Sequence, residues 1–115
     1  MIKKENRLKK RKQFNYLHKF GSYVSNEFMS VIYLPVKTKS FKIGYSVSKK
    51  VGKAVVRNKI KRRLKECVKK ISDKIKQNYY IIISPKTSIN TLTFNDIFEY
   101  LNQVLKKANL INDNC

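Results

Sequence analysis

Apolar residues recur along this chain with two periods. Ile60, Leu64, Cys67, Val68, Ile71 and Ile75 stand at steps of three and four, which at about 100° per residue gather on one narrow face of a helix. That helix is predicted to begin near Val55 or Val56 and to run to about Gln77, with Asn78 as its stop. Phe94, Ile97, Phe98, Leu101, Leu105 and Ala108 repeat the spacing in a last helix. Before it, Thr93-Phe94-Asn95-Asp96 has the form of a capping box, with Thr93 as N-cap and Asp96 reaching back. Phe14, Leu17 and His18 mark a short first helix from about Lys12 to Phe20, ended by Gly21. Phe14 and Phe20 cannot both occupy the centre of its buried face, so one is expected to be exposed or to line a groove.

The other period belongs to strands. Glu27–Leu34 and Phe41–Val47 are rich in β-branched and aromatic residues, and the interval from Pro35 to Ser40 reads as a loop. An antiparallel hairpin is expected of them. Val24 opens a shorter strand ahead of a turn at Ser25-Asn26, and Gly44 marks a close approach or a bulge. Tyr79–Ser84 is a continuous apolar run closed by Pro85, as for a strand covered on at least one face. The order α-β-β-β-α-β-α predicts an α+β fold, a mixed α/β two-layer sandwich. One domain is expected over residues 13–108, with an arm at 1–12 and a frayed tail at 109–115.

Charge changes the picture. The chain has 115 residues, 27 Lys and Arg, 7 Asp and Glu, and a net charge of +20. Such an imbalance repels itself and calls for a polyanionic partner. The arm MIKKENRLKKRK is basic, with Glu5 its one acid, and reads as a segment that orders on phosphates. Between Lys49 and Lys65 the basic residues are Lys49, Lys50, Lys53, Arg57, Lys59, Lys61, Arg62, Arg63 and Lys65, and there is no acid. Cations crowd the start of a helix whose dipole already disfavours them. Free N–H groups, dipole and cations together suit phosphate. No run approaches the about 18 apolar residues of a membrane span, and no apolar signal segment stands at the N-terminus. Two cysteines without CxxC spacing form no disulfide framework, and Cys67 falls on the apolar face. A cytoplasmic location is the default expectation.

Ser46–Arg62, read SVSKKVGKAVVRNKIKR, resembles the signature of the bacterial ribonuclease P protein component. The family's Arg-Asn-Arg run followed by Ile-Lys-Arg corresponds to Arg57-Asn58-Lys59 and Ile60-Lys61-Arg62. Lys59 keeps the charge but not the bidentate fork of Arg. The resemblance implies a ribosomal-protein-S5-domain-2-like fold with a left-handed crossover through the basic helix. It also implies a protein subunit that binds a catalytic RNA, which with its Mg²⁺ cleaves the 5′ leader from precursor tRNA. Lys49, Lys50, Lys53, Arg57, Asn58, Lys59, Lys61 and Arg62 would face that RNA, with Arg63 and Lys65 extending the basic surface. Asn58 either bonds RNA or orders its neighbours. A leader-binding groove would be lined by Phe14, by His18, and by Ile32 or, with a shift of one residue, Tyr33.

The residues themselves offer no catalytic centre. The acids Glu5, Glu27, Glu66, Asp73, Asp96, Glu99 and Asp113 are scattered, and only Asp96 and Glu99 share a helix face. One histidine, His18, and three glycines exclude a readable triad, a metal-ligand cluster or a phosphate loop. RNA binding through cations and stacking aromatics remains. A small ribosome-associated protein, or a DNA binder inserting the basic helix into a major groove, stand as alternatives. Neither membrane nor DNA is the expected partner.

Overall fold

The computed structural model describes residues 11–37 and 41–111. Its elements are α1 (Arg11–Phe20), β1 (Ser22–Ser25), β2 (Met29–Pro35), β3 (Lys42–Tyr45), α2 (Ala54–Ile71), β4 (Tyr79–Pro85) and α3 (Phe94–Lys107). Short 3-10 turns at Lys49–Val51, Ser72–Lys74 and Thr87–Thr91 join them. The element order is the predicted one, and the fold is a mixed α+β with a four-stranded sheet and three helices.

The strand order β1-β2-β4-β3 corrects the predicted hairpin. β2 and β3 are not neighbours, because β4 lies between them, antiparallel to β2 and parallel to β3. Ile81, Ile82 and Ile83 are all fully buried. A strand apolar on both faces gains most at the centre of a sheet, which leaves the edges to more polar strands. The hairpin that does form joins β1 to β2. Asn26 makes its turn, its Oδ1 accepting from the backbone N–H groups of Phe28 (2.9 Å) and Met29 (3.0 Å). Gly44 stands opposite Ile82 in unbroken register, so no bulge interrupts β3.

Alternation along β2 and β4 splits the interior in two. Met29, Val31, Ile81 and Ile83 join Ile60, Leu64, Cys67, Val68 and Ile71 of α2 and Ile97, Leu101, Val104 and Leu105 of α3 in the main core. Leu17 of α1 is fully buried against Ile82 in a second cluster, with Phe14, Ile32, Leu34 and Tyr80 packed round it. A helix therefore lies on each side of the sheet, and α1 adds a layer to the two that were expected. Gly21 permits this: a Cβ there would lie 2.6 Å from both Ile32 Cγ2 and the Leu17 carbonyl oxygen.

Three boundaries move. α2 ends at Ile71 rather than near Gln77, because the 3-10 turn Ser72–Lys74 takes over and Ile75 is in extended backbone. Arg11 and Lys12 belong to α1 rather than to the arm, and the rest of the arm, residues 1–10, lies outside the described residues. The tail does not begin at 109. Asn109 takes a left-handed conformation (φ 59°), its N–H donates to the Lys106 carbonyl, and the Leu110 N–H donates to the Leu105 carbonyl (both 2.9 Å). This is a Schellman ending. It returns Leu110 and Ile111 to the core, where they are 0% and 4% exposed. Residues 112–115, and the loop residues 38–40, lie outside the described residues.

Candidate nucleic-acid interface

The connection from β3 to α2 is short and held at several points. The Ser48 hydroxyl accepts from the Lys50 N–H at 3.0 Å and starts the 3-10 turn. Val51 is buried, and its carbonyl accepts from Asn90 Nδ2 at 2.7 Å. Arg57 Nε donates to the Gly52 carbonyl at 3.2 Å. A Cβ on Gly52 would come within 2.8 Å of Val56 Cγ1, so this turn admits no side chain without a shift. The chain then enters α2 at Lys53, an extended N-cap with no side-chain capping bond, and the first turn holds no acid. The N–H groups at the start of α2 therefore face outward without a side-chain acceptor.

Val55, Asn58, Lys61, Arg62 and Lys65 line one shallow depression of about 390 Å³ on the outer face of α2. Lys49, Lys50, Lys53, Asn58, Lys59, Arg62 and Lys65 are exposed, and Arg57, Lys61 and Arg63 are half-buried. The structure thus brings together the uncapped helix start and the cations around it. Arg57 stands apart in one respect, because its guanidinium also holds the Gly52 turn. Val55, 80% exposed among these cations, is the member that the sequence reading passed over. Its signal was an apolar residue at a helix start, well off the buried face.

The second predicted group divides. Ile32 lies on the α1 side of the sheet with Phe14. Tyr33 is turned to the opposite face, packs against the main core and meets Tyr79 at 6.3 Å between ring centroids. Tyr33 is thereby corrected out of the groove, because successive strand residues point to opposite sides. His18 is exposed on α1, and Phe14 is half-buried beside Leu17. On the same sheet face Lys42 Nζ sits 5.7 Å from the Tyr80 ring.

Neither titratable group of the interior looks reactive. Burial pushes the Cys67 thiol up to about 11, with smaller opposing effects of Lys70 and Glu66. Burial first, and Cys67 second, push the Tyr45 phenol above its ordinary range, and its hydroxyl is buried without a partner. Among the described residues no three His, Cys, Asp or Glu side chains come together as a metal site. No helix among the described residues is long and apolar enough to cross a membrane.

Fold and surface together define a small basic α+β protein with an outward-facing cationic surface on α2. A family model described as Ribonuclease P matches residues 2–109. The ribonuclease P protein component of Caldanaerobacter subterraneus is 34% identical over 96% of this chain and 95% of its own length. That of Streptococcus thermophilus is 37% identical over 97% of this chain and 100% of its own. A Staphylococcus aureus RNase P protein, solved as a mutant with defective mRNA degradation activity, superposes with a TM-score of 0.89. It is 36% identical, and the match covers 94% of this chain and 92% of that one. The chain belongs to the ribonuclease P protein family, an RNA-binding component of a tRNA-processing ribonucleoprotein.

Proposed function

We propose that this chain is the protein subunit of a ribonuclease P holoenzyme, in which it binds the catalytic RNA and the 5′ leader of precursor tRNA. It assists endonucleolytic removal of the leader, giving the mature 5′ end. The observation that carries this reading is the α2 surface, where an uncapped helix start and a depression lined by Asn58, Lys61, Arg62 and Lys65 face outward together. Phosphates neutralise cations that otherwise repel one another, and they accept from N–H groups that lack partners. Lys49, Lys50, Lys53, Arg57, Asn58, Lys59, Lys61, Arg62, Arg63 and Lys65 meet the RNA subunit. Asn58 sits beside Val55 and Lys61 and offers an amide with both donors and an acceptor. Phe14, His18 and Ile32 meet the unpaired leader.

Cleavage belongs to the RNA and its Mg²⁺, and the protein's cations offset phosphate repulsion as the substrate docks. The site of action is the cytoplasm, with neither DNA nor membrane as partner. Reconstitution tests this. The purified protein, added to ribonuclease P RNA, should permit cleavage of precursor tRNA at Mg²⁺ concentrations where the RNA alone is idle. No gain at any Mg²⁺ concentration from a folded protein would refute the assignment.

A further inference from the structure

We propose that Tyr16, Phe20 and Tyr23 form a second base-stacking surface, at the junction of α1 and β1, for the part of a long leader that extends beyond the groove. The proposal rests on the leader-groove reading above and extends it.

Three large aromatic side chains within eight residues are more exposed than buried: Tyr16 at 54%, Phe20 at 56% and Tyr23 at 63%. None of them belongs to either core cluster. At about 100° per residue, Tyr16 and Phe20 fall on the flank of α1 away from Phe14 and His18, so they are not the groove wall itself. Their rings lie 4.8 Å apart, tilted by 47°. Tyr23 pairs with Ile32 in the β1–β2 register and so projects on the α1 side of the sheet, on an edge strand. It is at once the strand neighbour of a groove residue and only three residues beyond Phe20. Phe20 at the C-terminal end of α1 and Tyr23 on the edge strand thus stand on either side of the turn at Gly21.

Charge selects the occupant. Lys19 Nζ lies 5.4 Å from the centre of the Phe20 ring, α1 also carries Arg11 and Lys12, and it has no acid. With a net charge of +20, a second copy of the chain is repelled, while RNA is drawn in. Unpaired bases stack on aromatic rings, cations flank the backbone, and the contact tolerates any sequence. The surface should reward leader length rather than leader sequence.

The test uses the holoenzyme with three ligands: mature tRNA, a precursor whose leader is just long enough for the groove, and one with a long leader. The variants are Tyr16→Ala with Phe20→Ala, and Tyr23→Ala. Affinity for the long-leader precursor should fall about fivefold or more with each, while the other two ligands bind as before. Phe20→Tyr and Tyr23→Phe, which keep a ring, should keep the affinity. Phe14→Ala tests the groove separately and should weaken both precursors. If Phe14→Ala has no effect but the aromatic variants still discriminate by leader length, the groove reading fails and this surface stands. Equal losses for all three ligands, or none, overturn the proposal. So does a change confined to self-association, which would make the surface a protein interface.

Discussion

Asn90 donates through Nδ2 to the carbonyl oxygen of Val51 at 2.7 Å, tying the turn before α3 to the basic connection before α2. The bond spans elements far apart in sequence and touches no charge. Asn90→Ala should cost about 1 kcal/mol of stability, measured by denaturant unfolding. If this bond helps hold Lys49, Lys50 and Lys53 in place, affinity for the RNA subunit should fall with an unchanged salt slope, since no cation is lost. A changed slope would mean that the connection was not displaced but rebuilt.

Arg57 and Arg62 should behave differently although both carry a charge to the same surface. Arg62 is exposed and lines the depression. Arg62→Ala should lower the log–log salt slope of RNA binding by about one and leave stability unchanged. Arg57 also donates from Nε to Gly52, so Arg57→Ala should lower the slope and the unfolding midpoint together. Arg57→Lys should restore the slope and not the midpoint. Equal midpoints for Arg57→Ala and wild type would show the Gly52 bond to be of no consequence.

Much of this arrangement is legible in the sequence where one physical demand dominates. Ile60, Leu64, Cys67, Val68 and Ile71 are all buried as their spacing requires, while Ile75 is buried from extended backbone beyond the end of α2. Thr93 and Asp96 form both bonds of the capping box. Strand order is not legible, because an apolar run such as Tyr79–Ser84 states that the strand is covered on at least one face and not by which neighbours. The groove position was ambiguous for a related reason. Ile32 and Tyr33 are both suited to a strand interior, and only the register of β2 against β4 assigns them to opposite faces. Leu110 and Ile111 looked like tail because nothing in the local pattern marks a chain that turns back after Asn109. Ile111 in fact bridges to Ile75.

That return makes the C-terminal turn a stability element. Leu110 is fully buried, so Leu110→Ala should cost about 2–5 kcal/mol. Asn109 has φ 59°, a region where Gly carries no Cβ penalty. Asn109→Gly should be neutral or slightly stabilising, and Asn109→Val clearly destabilising. Thermal melts of the three variants check the order, and an unaffected Leu110→Ala would return the segment to the tail.

Cys67 gives a pH dependence with a definite sign. Burial raises its thiol from 9.0 to about 11 in the folded protein. The unfolded chain releases that proton first, so the thiol's contribution is complete below about pH 9 and is lost as the pH rises through about 11. Unfolding free energies at about pH 8 and about pH 10 should therefore differ more for the wild type than for Cys67→Ala. Identical differences would mean that the thiol titrates alike in both states.

The prediction that separates a helper from an enzyme concerns cleavage itself. Cys67 holds its proton, and the donor set among the described residues does not gather into a metal site. The protein alone should not cleave precursor tRNA at any Mg²⁺ concentration, and the RNA subunit alone should cleave slowly at high Mg²⁺. Together they should need less Mg²⁺ and should prefer precursor over mature tRNA, because only the precursor has a leader to lie beside Phe14. Phe14→Ala should shrink that preference and leave mature-tRNA affinity nearly unchanged. Phe14 also packs on Leu17 and Ile82, so a circular-dichroism melt must first show the variant folded. An equal loss for both ligands from a folded variant would remove Phe14 from the leader site. Cleavage by RNA-free protein, abolished by changing one of its own side chains, would place the chemistry in the polypeptide after all.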